Sequence, residues 1–514
     1  MSRWVGWLFA ALAFLYLVPF WAVPYLPTTD GPCHLFNAWV LRHYADPAQA
    51  EWLGSIFAID GRPVPNWFTH LAMALLMWVV PPLVAEKLLV SGLVLLLLGG
   101  LWYLAGSVDP ERRFYAFLGF PLVWTVLLQL GLYNFCASLG FFLLAVGFYW
   151  RRREGLDLRS ALALNLLLLS CYLSHILSAI LALSAIAVLW AATLSRANWR
   201  RHLLTAAALA PQAVLPLWFV ATQGGGVIPA SGSFAILWRY LLRLFATSAF
   251  AEEGNRIGRI LGELFVLLLV FSVLHKNVRW GRPARPPGGE RRWWRRLPVR
   301  LQREDSFLLL CALFALLYFV SPEGTAGGTL LKQRLSLFPF LILVPWLSAP
   351  PGRWGRGVLI GGLSLLALAD LSFAWRCYRA AAPRVAAFVH GLDGARPRSI
   401  VLPLVFDRGG ACSRVGILDH ATGYAAVAKG LIDWDNYEAM TSFFPLRFRP
   451  ALHHSGLYQV EANPLDLDVH QLDPQIDYVY CWRMPPHSKI ARRLDRNWLL
   501  VAEDADSRLY QRQR

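Results

Sequence analysis

Arginine clusters divide this sequence into long apolar blocks, among them Trp4 to Val23, Leu83 to Ala105, Leu203 to Val220 and Phe307 to Val320. Each block approaches the ~20 residues needed to cross a bilayer core. In lipid such a block has to be helical, because a helix satisfies its own backbone N–H and C=O groups. Of 514 residues, 56% are hydrophobic and 16% charged, and the mean hydropathy is +0.44. A single soluble core of this size does not hide that much apolar surface. The expectation is an all-α polytopic membrane protein with about eleven transmembrane helices.

The net charge of +17 raises the question of nucleic acid. Its placement answers against it. Ten Lys or Arg lie between Lys276 and Arg303, with Pro283, Pro286 and Pro287 interrupting them. That run predicts a cytoplasmic loop under the positive-inside rule, in contact with anionic lipid headgroups.

Taking 276–303 as cytoplasmic fixes the rest by parity. Residues 1–379 form the membrane domain, with a cytoplasmic N-terminus read as an uncleaved signal anchor. The exterior loops are 24–82 and 222–256, and 113–131 and 332–349 count among the spans. The stretch 160–195 would be ~54 Å long as one helix, too long for a bilayer, so it is read as a hairpin turning at His175. Trp67 to Val80 has to be an interfacial or re-entrant helix, broken at Pro81-Pro82. Residues 380–514 then form a small exterior α/β domain, with strands at Ser399 to Phe406, Tyr478 to Trp482 and Trp498 to Ala502. Asp419 and His420 either face the site or, as the favoured reading, lie on the surface of this domain. Seven cysteines without CxxC or Cys/His ligand spacing argue against a zinc site. Cys412 and Cys481 are a candidate pair in an oxidising compartment.

This threading gathers the notable polar residues on the exterior face: Asp30, His34, Asn66, His70, Asn134, His175, Glu252, Glu253, Lys332 and Arg334. Asp30 follows the first span closely, with Pro32 at the start of a helix and His34 one turn on. Asp30 either caps that helix or is a carboxylate held at the membrane surface as general base or metal ligand, with His34 orienting substrate. Asn66 and His70, at i and i+4, line a groove or face water. His175 is a functional group at the boundary or a core histidine bonded to a neighbouring helix. Lys332 and Arg334 enter an apolar helix, which is costly unless they snorkel or meet an anion. Glu252 is a weaker candidate on a mobile, Gly-rich loop.

The string Asp30-Gly-Pro-Cys-His34-Leu, placed directly after a first span, resembles the first exterior loop of the GT-C glycosyltransferases. Bacterial protein O-mannosyltransferases and aminoarabinose transferases are examples. The resemblance covers the whole chain through its span count and exterior C-terminal domain. It implies transfer of a sugar from a polyprenyl-phosphate-linked donor to a glycan, lipid or protein acceptor, with Asp30 as base. It also implies Lys332 and Arg334 clamping the lipid phosphate, and a divalent cation, Mg or Mn, at Asp30 where one is used. Tyr133-Asn134 stands where oligosaccharyltransferase subunits carry an acidic pair, which departs from metal dependence. A transporter or flippase, or a non-catalytic binder of lipid-linked sugars, is the alternative. The Arg, Trp and Leu usage points to a bacterial inner membrane with the site facing the periplasm.

Overall fold

A computed structural model describes residues 3–223, 226–244, 252–280, 302–325, 328–350, 352–410, 412–452 and 464–513. Among them, six helices are long and apolar enough to cross a membrane: Arg3–Trp21, Pro82–Val108, Tyr133–Arg151, Ile176–Thr193, Asn255–Lys276 and Gly352–His390. A seventh is Trp199–Leu209 joined to Pro211–Thr222 through a 43° bend. Pro211 lacks the N–H that would carry the helix straight through. The chain is a membrane protein. Tyr133–Arg151 is the bundle's centre, 78% buried against 33% for Gly352–His390. Peripheral helices present Trp7, Phe14, Leu217 and Leu365 outward.

Among the described residues, the helices long and apolar enough to span number six or seven against the expected eleven. Residues 113–131 are a 3-10 run, Pro110–Leu122, followed by the single turn Val126–Gln129. Residues 332–349 are divided into Leu331–Leu335, Phe338–Leu343 and the 3-10 turn Val344–Trp346. Pro121, Pro339 and Pro345 each fix φ and remove a donor, so neither stretch holds an unbroken ladder. The chain does break at His175, between Leu158–Ser174 and Ile176–Thr193. There the extended backbone ends one helix, and Nδ1 accepts from the Leu177 N–H to start the next. The nine-residue helix Phe68–Leu76 is ~14 Å long, too short to cross.

The sheet part lies at one end of the bundle. Strands β1 (Phe57–Ile59) and β4 (Leu446–Phe448) pair antiparallel, joining the segment after the first span to the C-terminal third. The other strands are β2 (Ile400–Val405), β3 (Ile432–Asp433), β5 (Tyr478–Trp482), β6 (Trp498–Glu503) and β7 (Ser507–Arg512). They form one sheet in the order β3-β2-β5-β7-β6. The β2 neighbours are parallel, and β7 pairs antiparallel with β5 and β6. Fully apolar β2 and β5 are buried along their whole length, as parallel central strands should be.

The Gly352–His390 helix, 39 residues long, runs unbroken past residue 380. Its Phe388 ring packs against Tyr480 and Trp482 of β5, and Tyr480 donates to the Phe388 carbonyl. Cys412 and Cys481 are both free thiols, Cys481 buried in β5. Most of the basic run 276–303 lies outside the described residues, as do the side chains of Glu252 and Glu253.

Candidate functional site

Asp30 precedes the helix Gly31–His43, but its carboxylate does not cap it. The backbone at this turn is pinned elsewhere. Thr29 N–H and Asp30 N–H donate to the carbonyls of Gln129 and Leu130. Gly131 makes that approach tolerable: its φ is +78°, and a Cβ there would lie 2.4 Å from the Gly31 nitrogen.

Asp30 opens into a cavity of about 460 Å³ that Asn66, Asn134, His175 and Arg334 also line. Phe135, Leu132, Ile176, Phe219 and Phe444 supply much of its apolar wall. The Asp30 Oδ2 accepts from the Tyr437 hydroxyl at 2.9 Å. His420 Nε2 lies 3.7 Å from Oδ1, and its ring packs on Tyr437. His420 is 4% exposed, so its expected surface placement is wrong. The domain closes over the first loop and takes this imidazole inside. Burial pushes His420 down to about 4, against the pull of Glu438, so it is neutral beside Asp30 at neutral pH.

Arg334 Nη1 donates to the Thr329 carbonyl, 2.8 Å away. Its Nε is buried without a partner, and the residue lines the cavity, so a guanidinium with N–H donors to spare borders that space. Lys332 is placed differently. Its Nζ donates to the Tyr318 and Phe319 carbonyls at 2.9 and 3.3 Å, capping the C-terminal end of Ser306–Val320. Asn134 and Asn66 form a frame: Asn134 Nδ2 donates to the Asn66 carbonyl, and Asn134 Oδ1 accepts from the Thr69 N–H.

His34 and His70 come together behind Asp30. His34 Nδ1 lies 2.7 Å from Glu438 Oε1, and His70 Nε2 lies 2.8 Å from Glu438 Oε2. The two imidazoles are 3.1 Å apart, and Asn37 Nδ2 donates to the same carboxylate at 2.6 Å. Burial would raise Glu438, but the imidazoles hold it well below the usual carboxylate range. Burial also lowers His34, against the attraction of Glu438. Among the described residues, His34, His70 and Glu438 form the group whose ligand atoms converge as a metal would require; Asp30 is not part of it.

No protein-family model matches the chain, and no curated protein matches it. A solved structure does: ArnT from Cupriavidus metallidurans bound to undecaprenyl phosphate, 11% identical, with a TM-score of 0.52 over 99% of this chain and 98% of that one. The fold is that of ArnT. The same protein in its apo state matches at 10% identity and a TM-score of 0.48, over 99% of this chain and 98% of that one. ArnT is an aminoarabinose transferase of the GT-C class, the group whose first loop the Asp30 string resembles.

The ArnT-like fold brings together Asp30, His34, Asn66, Asn134, His175 and Arg334 in one cavity wall. His70 stands just behind it and Lys332 points elsewhere. His420 was singled out but placed on the surface, and Tyr437 and Glu438 escaped sequence reasoning. Their signal was the run Asp433-Trp-Asp-Asn-Tyr-Glu438, dense in acids yet rich in aromatics, within a domain otherwise read as strands and turns.

Proposed function

We propose that this chain is an integral membrane glycosyltransferase that moves a sugar from a polyprenyl-phosphate-linked donor to an acceptor hydroxyl. The observation that carries the reading is a carboxylate, Asp30, and a partly unpaired guanidinium, Arg334, on the wall of one largely apolar cavity. Apolar walls suit a prenyl chain. The guanidinium suits its phosphate. Asp30 takes the acceptor proton as the acceptor oxygen bonds to the sugar carbon. The bond from that carbon to the phosphate oxygen breaks on the opposite side, inverting the centre. Polyprenyl phosphate leaves, its charge met by Arg334. Tyr437, bonded to Oδ2, holds the carboxylate in one orientation for that transfer.

In this reading Leu158–Ser174, Ser306–Val320 and the broken runs Pro110–Gln129 and Leu331–Trp346 also cross, which with the seven spans above makes about eleven crossings. Irregular backbone is tolerated at membrane depth where protein covers it, and Phe114 to Leu122 are buried. The N-terminus is then cytoplasmic, and the sheet domain lies outside the bacterial inner membrane with the cavity.

The test is Asp30→Asn with a radiolabelled polyprenyl-phosphate sugar in proteoliposomes. Loss of a positioned general base should lower the rate ~10²–10⁴-fold in protein that still melts as a folded chain, since Asn keeps an oxygen to accept from Tyr437. A flippase or a passive binder would keep its transport or binding through that change. Such an outcome would displace the transferase reading.

A further inference from the structure

The cluster behind Asp30 does not balance its hydrogens. His70 Nδ1 lies 3.0 Å from the Asn66 carbonyl oxygen, which only accepts, so Nδ1 carries the ring hydrogen. In a neutral ring the lone pair on Nε2 then points at Glu438 Oε2, 2.8 Å away. Two lone pairs at that distance repel. Something positive has to lie between them, either a proton, on His70 Nε2 or on Glu438 itself, or a cation. All three side chains are buried, at 2%, 0% and 0% exposure for His34, His70 and Glu438. An unneutralised carboxylate in such a place is costly.

We infer that His34 Nδ1, His70 Nε2 and the Glu438 carboxylate form a zinc site that fastens the first loop to the C-terminal domain. Their ligand atoms converge within 4.8 Å of one another. Two imidazoles and one carboxylate are a zinc ligand set, and imidazole disfavours Mg and Mn relative to zinc. The Nδ1–H bond from His70 to a backbone carbonyl is the arrangement that orients zinc-bound histidines. Bonds of ~2.0–2.2 Å in a tetrahedron place ligand atoms ~3.3 Å apart. The present separations of 2.7, 2.8 and 3.1 Å reach that with small side-chain rotations. No local zinc pattern marks these ligands in the sequence, because the third lies 368 residues beyond His70.

The ion acts as a positioning element. His34 N–H donates to the Asp30 carbonyl at 3.0 Å, so fixing His34 fixes the turn that displays Asp30. The inference does not depend on the transferase reading, because metal content is measured without donor or acceptor.

The experiment uses the full chain, purified in detergent with a tag free of histidine and without chelator. Elemental analysis should find about one zinc per chain. Stripping with a chelator should lower Tm, and adding Zn²⁺ should restore it. Co²⁺ in place of zinc should give visible absorption of tetrahedral intensity. His70→Ala and Glu438→Gln should each weaken Zn²⁺ binding by ~10-fold or more. Wild-type protein that holds no transition metal, and whose Tm does not move with Zn²⁺, would overturn the site and leave a proton between His70 and Glu438 in its place. So would zinc retained undiminished in well-folded variants. The wild-type measurements decide the matter even if a variant fails to fold.

Discussion

The Tyr437 hydroxyl donates to Oδ2 of Asp30 at 2.9 Å, across 407 residues of sequence. On either side of it, Asn436 donates to Asn37 Oδ1 at 2.6 Å and Glu438 meets His34 at 2.7 Å. Three consecutive residues of the C-terminal domain thus hold the first turns of one helix. The domain is a wall of the site.

Tyr437→Phe removes a hydrogen bond that favours the ionised carboxylate. Such bonds to charged groups contribute ~1.5–3 kcal/mol, equivalent to about one to two pH units. The acid-side limb of the kcat/KM profile for sugar transfer should therefore move up by about that much. A profile that keeps its limb while the rate falls uniformly would assign Tyr437 to packing instead.

Arg334 and Lys332 should separate cleanly. Arg334→Ala should raise KM for the polyprenyl-phosphate donor by about tenfold or more, and Arg334→Lys should not restore it, because the planar fork is lost. Lys332→Met leaves two carbonyls without their donor and should cost ~1–3 kcal/mol of stability, with KM unchanged. Donor titrations and thermal melts on the same preparations check both.

Asp433, at the end of β3, is pushed up to about 7 by burial, which the Asp435 N–H opposes. An unfolded aspartate ionises near ~3.9. Between those values the folded chain holds a proton that the unfolded chain has released. Stability should therefore fall as pH rises from about 4 to about 7 and then level off, by an amount on the order of a few kcal/mol. Asp433→Asn should flatten this slope, as read by Tm against pH.

Gly131→Ala should lower Tm sharply and reduce yield. The left-handed φ of +78° strains any side chain, and the added Cβ would meet the Gly31 nitrogen at 2.4 Å. Transfer activity per folded molecule should fall too, since the clash falls on the backbone that positions Asp30.

Hydropathy made the membrane class legible, because block length and lipid thickness are one physical constraint. The broken runs at 110–129 and 331–346 were harder to read: apolar composition persists through Pro121, Pro339 and Pro345 although the helix does not. In the sheet domain, the strands at 400–405, 478–482 and 498–503 stood out as apolar or β-branched runs. Polar β7, Ser507–Arg512, carries no such pattern and is held by its pairing with β5 and β6. Asp30 was visible through its place after the first span, and Arg334 through a charge entering an apolar segment. The role of Glu438 and the burial of His420 were illegible for a common reason. Their burial is created by a partner segment about 400 residues away, which no local window contains.

Because strand β1 needs β4, and the helix after Asp30 needs residues 436–438, the site is built from both extremes of the chain. A nascent chain that has threaded every helix still lacks a working centre. Activity begins only when the last third has been synthesised and has folded back onto the first loop, so partly made copies in the membrane are silent.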